Sequence, residues 1–303
     1  MRIQKLGRHA LIGCVAAAML SGCNGSAPPL DTPAADSSWA LPEAQTSDLL
    51  YVTGYTGTFY WVYMFSYPAG KLVGKIAKEV SGLCSDANGN VYMTQSFDSK
   101  STIFKYAHGA KKPIGTLADP YNGAYGCAVD PKTGDLAVAN SEGGTVVVYS
   151  HAQGKPKRYY IFFAPGYVAY TPQGHLFALG GSGGLAELIN GQFKRVLLKK
   201  RIESATGVQW DGNYMAIGSE AGSSSYYYYG LINRYAISGR KGNLEGTTDL
   251  GADAVRFFIE GSTVVASDGE NDVYFFSYPQ GGKPTKKISG IPSASSLTVS
   301  VAP

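Results

Sequence analysis

Catalysis by side chains needs nucleophiles, bases or metal ligands that can meet, and this 303-residue sequence supplies few of them. Of its four histidines, His9 lies in an N-terminal leader. His108 and His151 each follow a tyrosine by two residues and read as solvated turn residues, too far apart to share a metal. His175 follows a turn glycine and has no evident partner. No HExxH, GxSxG or Walker-type stretch occurs. Asp268-Gly-Glu270-Asn-Asp272 gathers hard oxygen ligands suited to calcium, but it is shorter than an EF-hand loop and reads as a charged turn. Enzymatic activity therefore finds little support, and no cofactor and no metal is expected.

Binding chemistry is better represented. Tyrosines offer flat apolar faces and a hydroxyl at low entropic cost, which suits sugars, aromatic ligands and proteins alike. The candidates are Tyr55, Tyr60, Phe97, Tyr121, Tyr125, Tyr167 and the run Tyr226, Tyr227, Tyr228 and Tyr229. A competing reading has Tyr121, Tyr125 and Tyr167 filling gaps between structural units. A basic set, Lys111, Lys112, Lys155, Lys157 and Arg158, is the candidate for contact with anionic lipid headgroups.

The positions of these residues depend on a repeat. The stretch from Gly126 to Phe162 reads as four short apolar runs, each closed by glycine or a polar turn, which is the pattern of four consecutive antiparallel strands. The tyrosine ending the third run recurs at Tyr67, Tyr106, Tyr149, Tyr235 and Tyr278, with gaps of 39, 43, 86 and 43 residues. The double gap holds a copy near Ile189 that lacks the tyrosine. A four-strand period of about 40 to 45 residues is the spacing of propeller blades. Turns such as Asp86-Ala-Asn-Gly89 and Asp130-Pro-Lys-Thr-Gly134 mark the end of each first strand.

Five complete units run from Leu83 to Ile288. Leu49 to Gly54 matches a second strand, and Ser296 to Val301 an unpartnered first strand. The expected fold is all-β: a six-bladed β-propeller of four-stranded blades, closed by pairing the N-terminal strands with the C-terminal strand, which leaves no open sheet edge at the junction. GCAVDPKTGDLAVAN and GLCSDANGNVYMTQ resemble NHL-repeat-like six-bladed propellers over residues 49 to 301. That resemblance implies a fold and little about function, since such propellers include lactonases, lyases and pure binding proteins.

In this scheme, turns after first and third strands share one face, which carries the basic set. Turns after second and fourth strands share the other, which carries the aromatic set. Cys84 and Cys127 lie in first strands of consecutive blades, two and three residues before their turns. Alternation along a strand would aim them at different faces, so a disulfide and two buried thiols both stay open.

Arg2, Lys5 and Arg8 precede the apolar run from Ala10 to Leu20, which is too short to span a bilayer and has the layout of a secretory signal. Leu20-Ser21-Gly22-Cys23 resembles the lipobox of bacterial lipoproteins, which implies a signal peptide over 1–22 and an acylated Cys23. Residues 23–48, rich in Pro, Ala, Ser and Asp, read as a flexible tether, and 49–303 as the propeller domain. The leader carries three of the 26 basic residues, so without it the balance against 22 acidic ones is nearly neutral and nucleic acid is not an expected partner. The expected product is a monomeric, extracytoplasmic, membrane-anchored module, periplasmic or at the cell surface, binding a glycan or protein. The alternative is an exported metal-dependent hydrolase or lyase of the lactonase type.

Overall fold

The computed structural model describes residues 37–97, 100–224, 227–254 and 256–303. Signal peptide, Cys23, most of the expected tether and Tyr226 lie outside the described residues, as do the side chains of Phe97, Tyr227 and Tyr228. The chain contains β1 (Trp39–Ala40), β2 (Leu49–Tyr55), β3 (Tyr60–Ser66), β4 (Leu72–Ala77), β5 (Gly82–Ser85), β6 (Val91–Phe97), β7 (Lys100–Tyr106), β8 (Gly115–Asp119), β9 (Ala124–Val129), β10 (Leu136–Asn140), β11 (Thr145–Tyr149), β12 (Lys157–Tyr160) and β13 (Pro165–Tyr170). It continues with β14 (Leu176–Gly180), β15 (Leu185–Ile189), β16 (Gln192–Leu198), β17 (Ala205–Trp210), β18 (Met215–Ser224), β19 (Tyr227–Ser238), β20 (Lys241–Asp249), β21 (Arg256–Glu260), β22 (Thr263–Ser267), β23 (Asp272–Ser277), β24 (Lys286–Ser289) and β25 (Leu297–Ser300).

The architecture is all-β and propeller-like. Strands β5–β8, β9–β12 and β21–β24 form three four-stranded antiparallel sheets. Strands β13–β16 and β17–β20 form two further meanders, joined into one eight-stranded sheet by a short parallel pairing of Leu197 and Leu198 with Lys241 and Gly242. The last sheet has the order β1-β4-β3-β2-β25, with Leu49 opposite Ser300 and Val52 opposite Leu297. The expected pairing of N- and C-terminal strands is thus present.

Strands such as Leu136–Asn140 are buried along their whole length because both faces of the sheet are covered. Apolar clusters fill the spaces between successive meanders, from Tyr51, Met64 and Met93 between the first two to Val52, Phe275 and Val299 between the last and the first. The recurring tyrosine crosses these spaces. Tyr149 Oη donates to Ala118 O (3.1 Å), Tyr235 Oη to Lys200 O (2.8 Å) and Tyr278 Oη to Asp211 Oδ2 (2.6 Å), each in the preceding meander. A ring that fills an apolar gap and ends in a hydroxyl satisfies both packing and a buried acceptor, which explains the residue type at that position.

Turns follow the expected chemistry. Asp86 Oδ1 accepts the N–H groups of Asn88 and Asn90, and Gly89 turns the chain at φ +77°, where an added Cβ would also lie 2.4 Å from Val301 O.

One expectation is corrected and one open alternative is resolved. The tether does not run to residue 48: Trp39–Ala40 adds a fifth strand on the free edge of β4, and Pro42–Gln45 forms a 3₁₀ turn with Ala44 fully buried. Cys84 and Cys127 are joined in a disulfide, with Cα atoms 5.6 Å apart. Neighbouring sheets pack face to face, so one cysteine must point forward and the other back. The one-residue offset from their turns supplies those opposite directions and favours the bridge.

Candidate functional site

The strands β5, β9, β13, β17, β21 and β25 are the inner strands, and they surround a central channel. All six contribute to a cavity of about 110 Å³ at the end where they begin, here called the upper mouth. Close approach of the inner strands is needed to make it. A Cβ on Gly82 would lie 2.1 Å from Tyr125 O, and one on Gly126 would lie 2.6 Å from Gly166 O.

Tyr125 of β9, Tyr167 of β13 and Arg256 of β21 converge on this mouth. The two phenol rings meet edge to face, with centroids 6.0 Å apart. The Arg256 guanidinium donates a hydrogen bond to Tyr125 Oη and lies 4.9 Å from the Tyr167 ring centroid and 5.5 Å from that of Tyr125. Distances under about 6 Å place the cation within attraction of both ring faces. Burial pushes the Tyr167 phenol up to about 12; the Arg256 charge opposes that rise, and Tyr125 and Glu220 add to it. Tyr167 is therefore a neutral hydrogen-bonding group at physiological pH. Ser81, Thr206, Gln209 and Ser296 complete the polar lining among the described residues. Gln209 is fixed by donating to Ile259 O (2.7 Å) and accepting from Ile259 N–H (2.8 Å).

A guanidinium framed by two phenols suits a carboxylate, a phosphate or a hydroxyl-rich ring. Among the described residues that line the mouth there is no carboxylate, and the Arg256 charge is held at its centre. Among the described residues no group of three or more His, Cys, Asp and Glu is placed to hold a metal.

The other expected residues whose side chains are described are not among the residues that line this mouth. Tyr55 and Tyr60 stack at the tip of the β2–β3 hairpin, with centroids 4.4 Å apart, and both are exposed. Tyr121 lies under the Arg158 guanidinium (4.6 Å), which also covers Tyr160 (4.5 Å). Arg158 thus sits within β12 and between two tyrosines, not in a basic turn. Lys111, Lys112 and Lys155 are in exposed turns, and Lys157 opens β12 with its Nζ 5.1 Å from the Tyr159 ring. Tyr229 borders a separate open depression with Asp249, Asp253, Asp268, Glu270 and Asp272. There Asp268 Oδ1 accepts the N–H groups of residues 270, 271 and 272, the charged turn that was expected.

Two histidines differ from expectation, while His151 is exposed as expected. His108 is buried, with Nδ1 2.7 Å from Ser300 Oγ on the closing strand and Nε2 2.9 Å from Ser47 O just before β2. His175 has a partner, Glu187 Oε1 at 2.7 Å on β15. Arg256 escaped notice altogether. Its position at the start of a first strand, matching Tyr125, was the available signal.

No known family profile matches the chain, and no curated protein matches its sequence. Solved structures do. A Bacteroides fragilis protein named as a candidate 6-phosphogluconolactonase superposes with a TM-score of 0.55 at 12% identity, over 85% of this chain and 99% of that one. A Lactobacillus plantarum protein gives 0.53 at 14%, over 83% and 99%. A chain of a nidogen–laminin complex gives 0.63 at 11%, over 84% and 99%. At these identities the likeness shows the fold, a β-propeller, and nothing finer.

Proposed function

We propose that this protein is a lipid-anchored, extracytoplasmic propeller that binds a glycan through its upper channel mouth and does not transform it. The eight-stranded sheet counts as two blades, since each of its meanders has its own inner strand on the channel. With the closing sheet this makes six. Anchorage rests on the Leu20-Ser21-Gly22-Cys23 sequence. The observation that carries the ligand assignment is Arg256 held between Tyr125 and Tyr167. A guanidinium has five N–H donors, enough for Arg256 to keep the contacts it makes and also meet a carboxylate, while the phenols stack on a sugar ring. A saccharide bearing a uronic or other carboxylate group is the ligand class that uses all three side chains.

Titration of acidic and neutral oligosaccharides against wild type and Arg256→Gln tests this. Acidic ligands should bind the wild type and weaken at least about tenfold in the variant, the lower range for a buried charge-assisted contact, while neutral ones change little. Equal affinities in the two proteins would refute the assignment. Anchorage is tested separately: Cys23→Ala should move the protein from the membrane fraction to the soluble fraction, and retention would remove that part of the reading.

A further inference from the structure

The chain joins the folded domain at the end opposite to the one its first long strand suggests. Taken alone, β2 starts at the lower end, beside the basic turns. The added strand β1 runs antiparallel to β4, with Trp39 opposite Lys75, and Ser38 Oγ accepts the N–H of Ala77 (2.8 Å) at the upper end of β4. Ala77 in turn pairs with Trp61, one residue from the tip of the β2–β3 hairpin. Two strand spacings separate Ser38 from that hairpin, roughly 10 Å. The fourteen residues from Cys23 to Asp36 span at most roughly 50 Å when fully extended, so a lipid on Cys23 keeps this corner of the domain near the bilayer.

The corner itself is aromatic. Tyr55, Phe59 and Tyr60 expose 36%, 51% and 43% of their surface within six residues of sequence. The tip is held rigid: Thr56 N–H donates to Phe59 O (3.0 Å), Phe59 N–H to Thr56 Oγ1 (3.1 Å) and Tyr55 Oη to Gly57 O (2.6 Å), with Gly57 at φ +86°. Little ordering is then left to oppose insertion. Rings with an apolar body and a polar tip favour the membrane–water interface.

We propose that the β2–β3 hairpin tip, through Tyr55, Phe59 and Tyr60, is a membrane-contact finger that seats the anchored domain on the lipid surface, upper corner down. The proposal rests on the lipid-anchor reading above. The same end of the domain carries the carboxylates of Asp268, Glu270 and Asp272 on the neighbouring sheet, so contact is by one corner and is apolar, not electrostatic.

The test uses the full lipidated chain in neutral phosphatidylcholine vesicles, with the full-length Cys23→Ala chain in solution as reference. Backbone hydrogen exchange is followed in residues 55–60 and in the opposite-end turns 111–112, 130–134 and 171–174. Exchange at 55–60 should slow about tenfold on vesicles, be unchanged between roughly 0.1 and 1 M salt, and leave the lower turns unaffected. In the anchored Phe59→Asp variant, whose exposed position leaves folding intact, protection at 55–60 should fall while membrane recovery stays the same. Protection confined to the lower turns, or protection lost in high salt, would overturn the proposal in favour of the basic face. An unprotected tip on bare lipid would overturn it too and leave the aromatic finger to a protein partner. Recovery of the wild type in the soluble fraction would instead refute lipidation, a result that fractionation separates from the exchange data.

Discussion

The two mouths of the channel are made by the same inner strands and have opposite chemistry. At the upper mouth, a cavity of about 110 Å³ is lined by Tyr125, Tyr167 and Arg256, whose polar groups face the channel. At the lower mouth, a cavity of about 310 Å³ is lined by Cys84, Pro131, Pro172 and Trp210. Ser85, a polar residue of this lining, serves the fold: its Oγ donates to Val299 O at 2.6 Å. Strand position explains the difference. The end of a first strand must form a tight turn and pack against its neighbour, whereas its start follows a loop and is free to carry a ligand-facing side chain. The ligand site proposed above accordingly lies where the inner strands begin.

The most severe way to break the comparison is to remove the wall both mouths share. Deleting residues 296–303 takes away β25, its pairing with β2 and the buried Leu297 and Val299. Stability should fall by several kcal/mol out of a typical total of about 5 to 15, read as a large drop in Tm. An unchanged melting curve would mean that closure contributes nothing.

Replacing Cys84 and Cys127 together by Ser acts near the lower mouth. Freed of a cross-link over 43 residues, the chain should lose about 2 to 4 kcal/mol in urea unfolding. Ligand affinity at the upper mouth should stay as it was. A matching loss of affinity would show the two mouths to be coupled.

The smallest effect sharpens the picture of the upper end. Burial raises the carboxyl of Asp119, against the Tyr121 N–H bonded to its Oδ1 and the neighbouring Asn140 amide, which lower it, and its Oδ2 has no hydrogen-bond partner. The folded state therefore holds this proton more tightly than the unfolded state. The contribution to stability is full below the unfolded value, about pH 3.9, and is lost as pH rises through the raised folded value. Asp119→Asn keeps an acceptor for Tyr121 N–H and should stabilise the protein at pH 7 by no more than about 1 to 3 kcal/mol, with the advantage vanishing near pH 3. A gain that persists unchanged at pH 3 would assign the effect to packing.

The repeat was legible because Tyr106, Tyr149, Tyr235 and Tyr278 each do the same job between sheets, so their spacing reports the period directly. Closure was legible because Leu49–Gly54 looks like a second strand. The strand β1 was not, since two residues cannot display a period. The disulfide stayed one of two open alternatives because alternation was followed along single strands, without the reversal that face-to-face packing adds. His108 was misplaced because its partner Ser300 lies 192 residues away. At the site, tyrosines stood out by their number, while Arg256 is a single basic residue whose meaning appears only when six strand starts are brought together.

The pairing of Leu49 with Ser300 also sets an order of events during synthesis. The strand β2 leaves the ribosome among the first ordered residues, and its inner neighbour is among the last. Until then β2 presents an unpaired edge, and the contact that covers it has nearly the largest sequence separation the chain allows. Contacts of that kind form slowly, because a long loop must close before it is rewarded. The ring therefore passes through an open form with an exposed strand edge, the state most open to mispairing with another copy. A product truncated before β25 stays in that state, so the arrival of Leu297–Ser300 is the step that closes the ring.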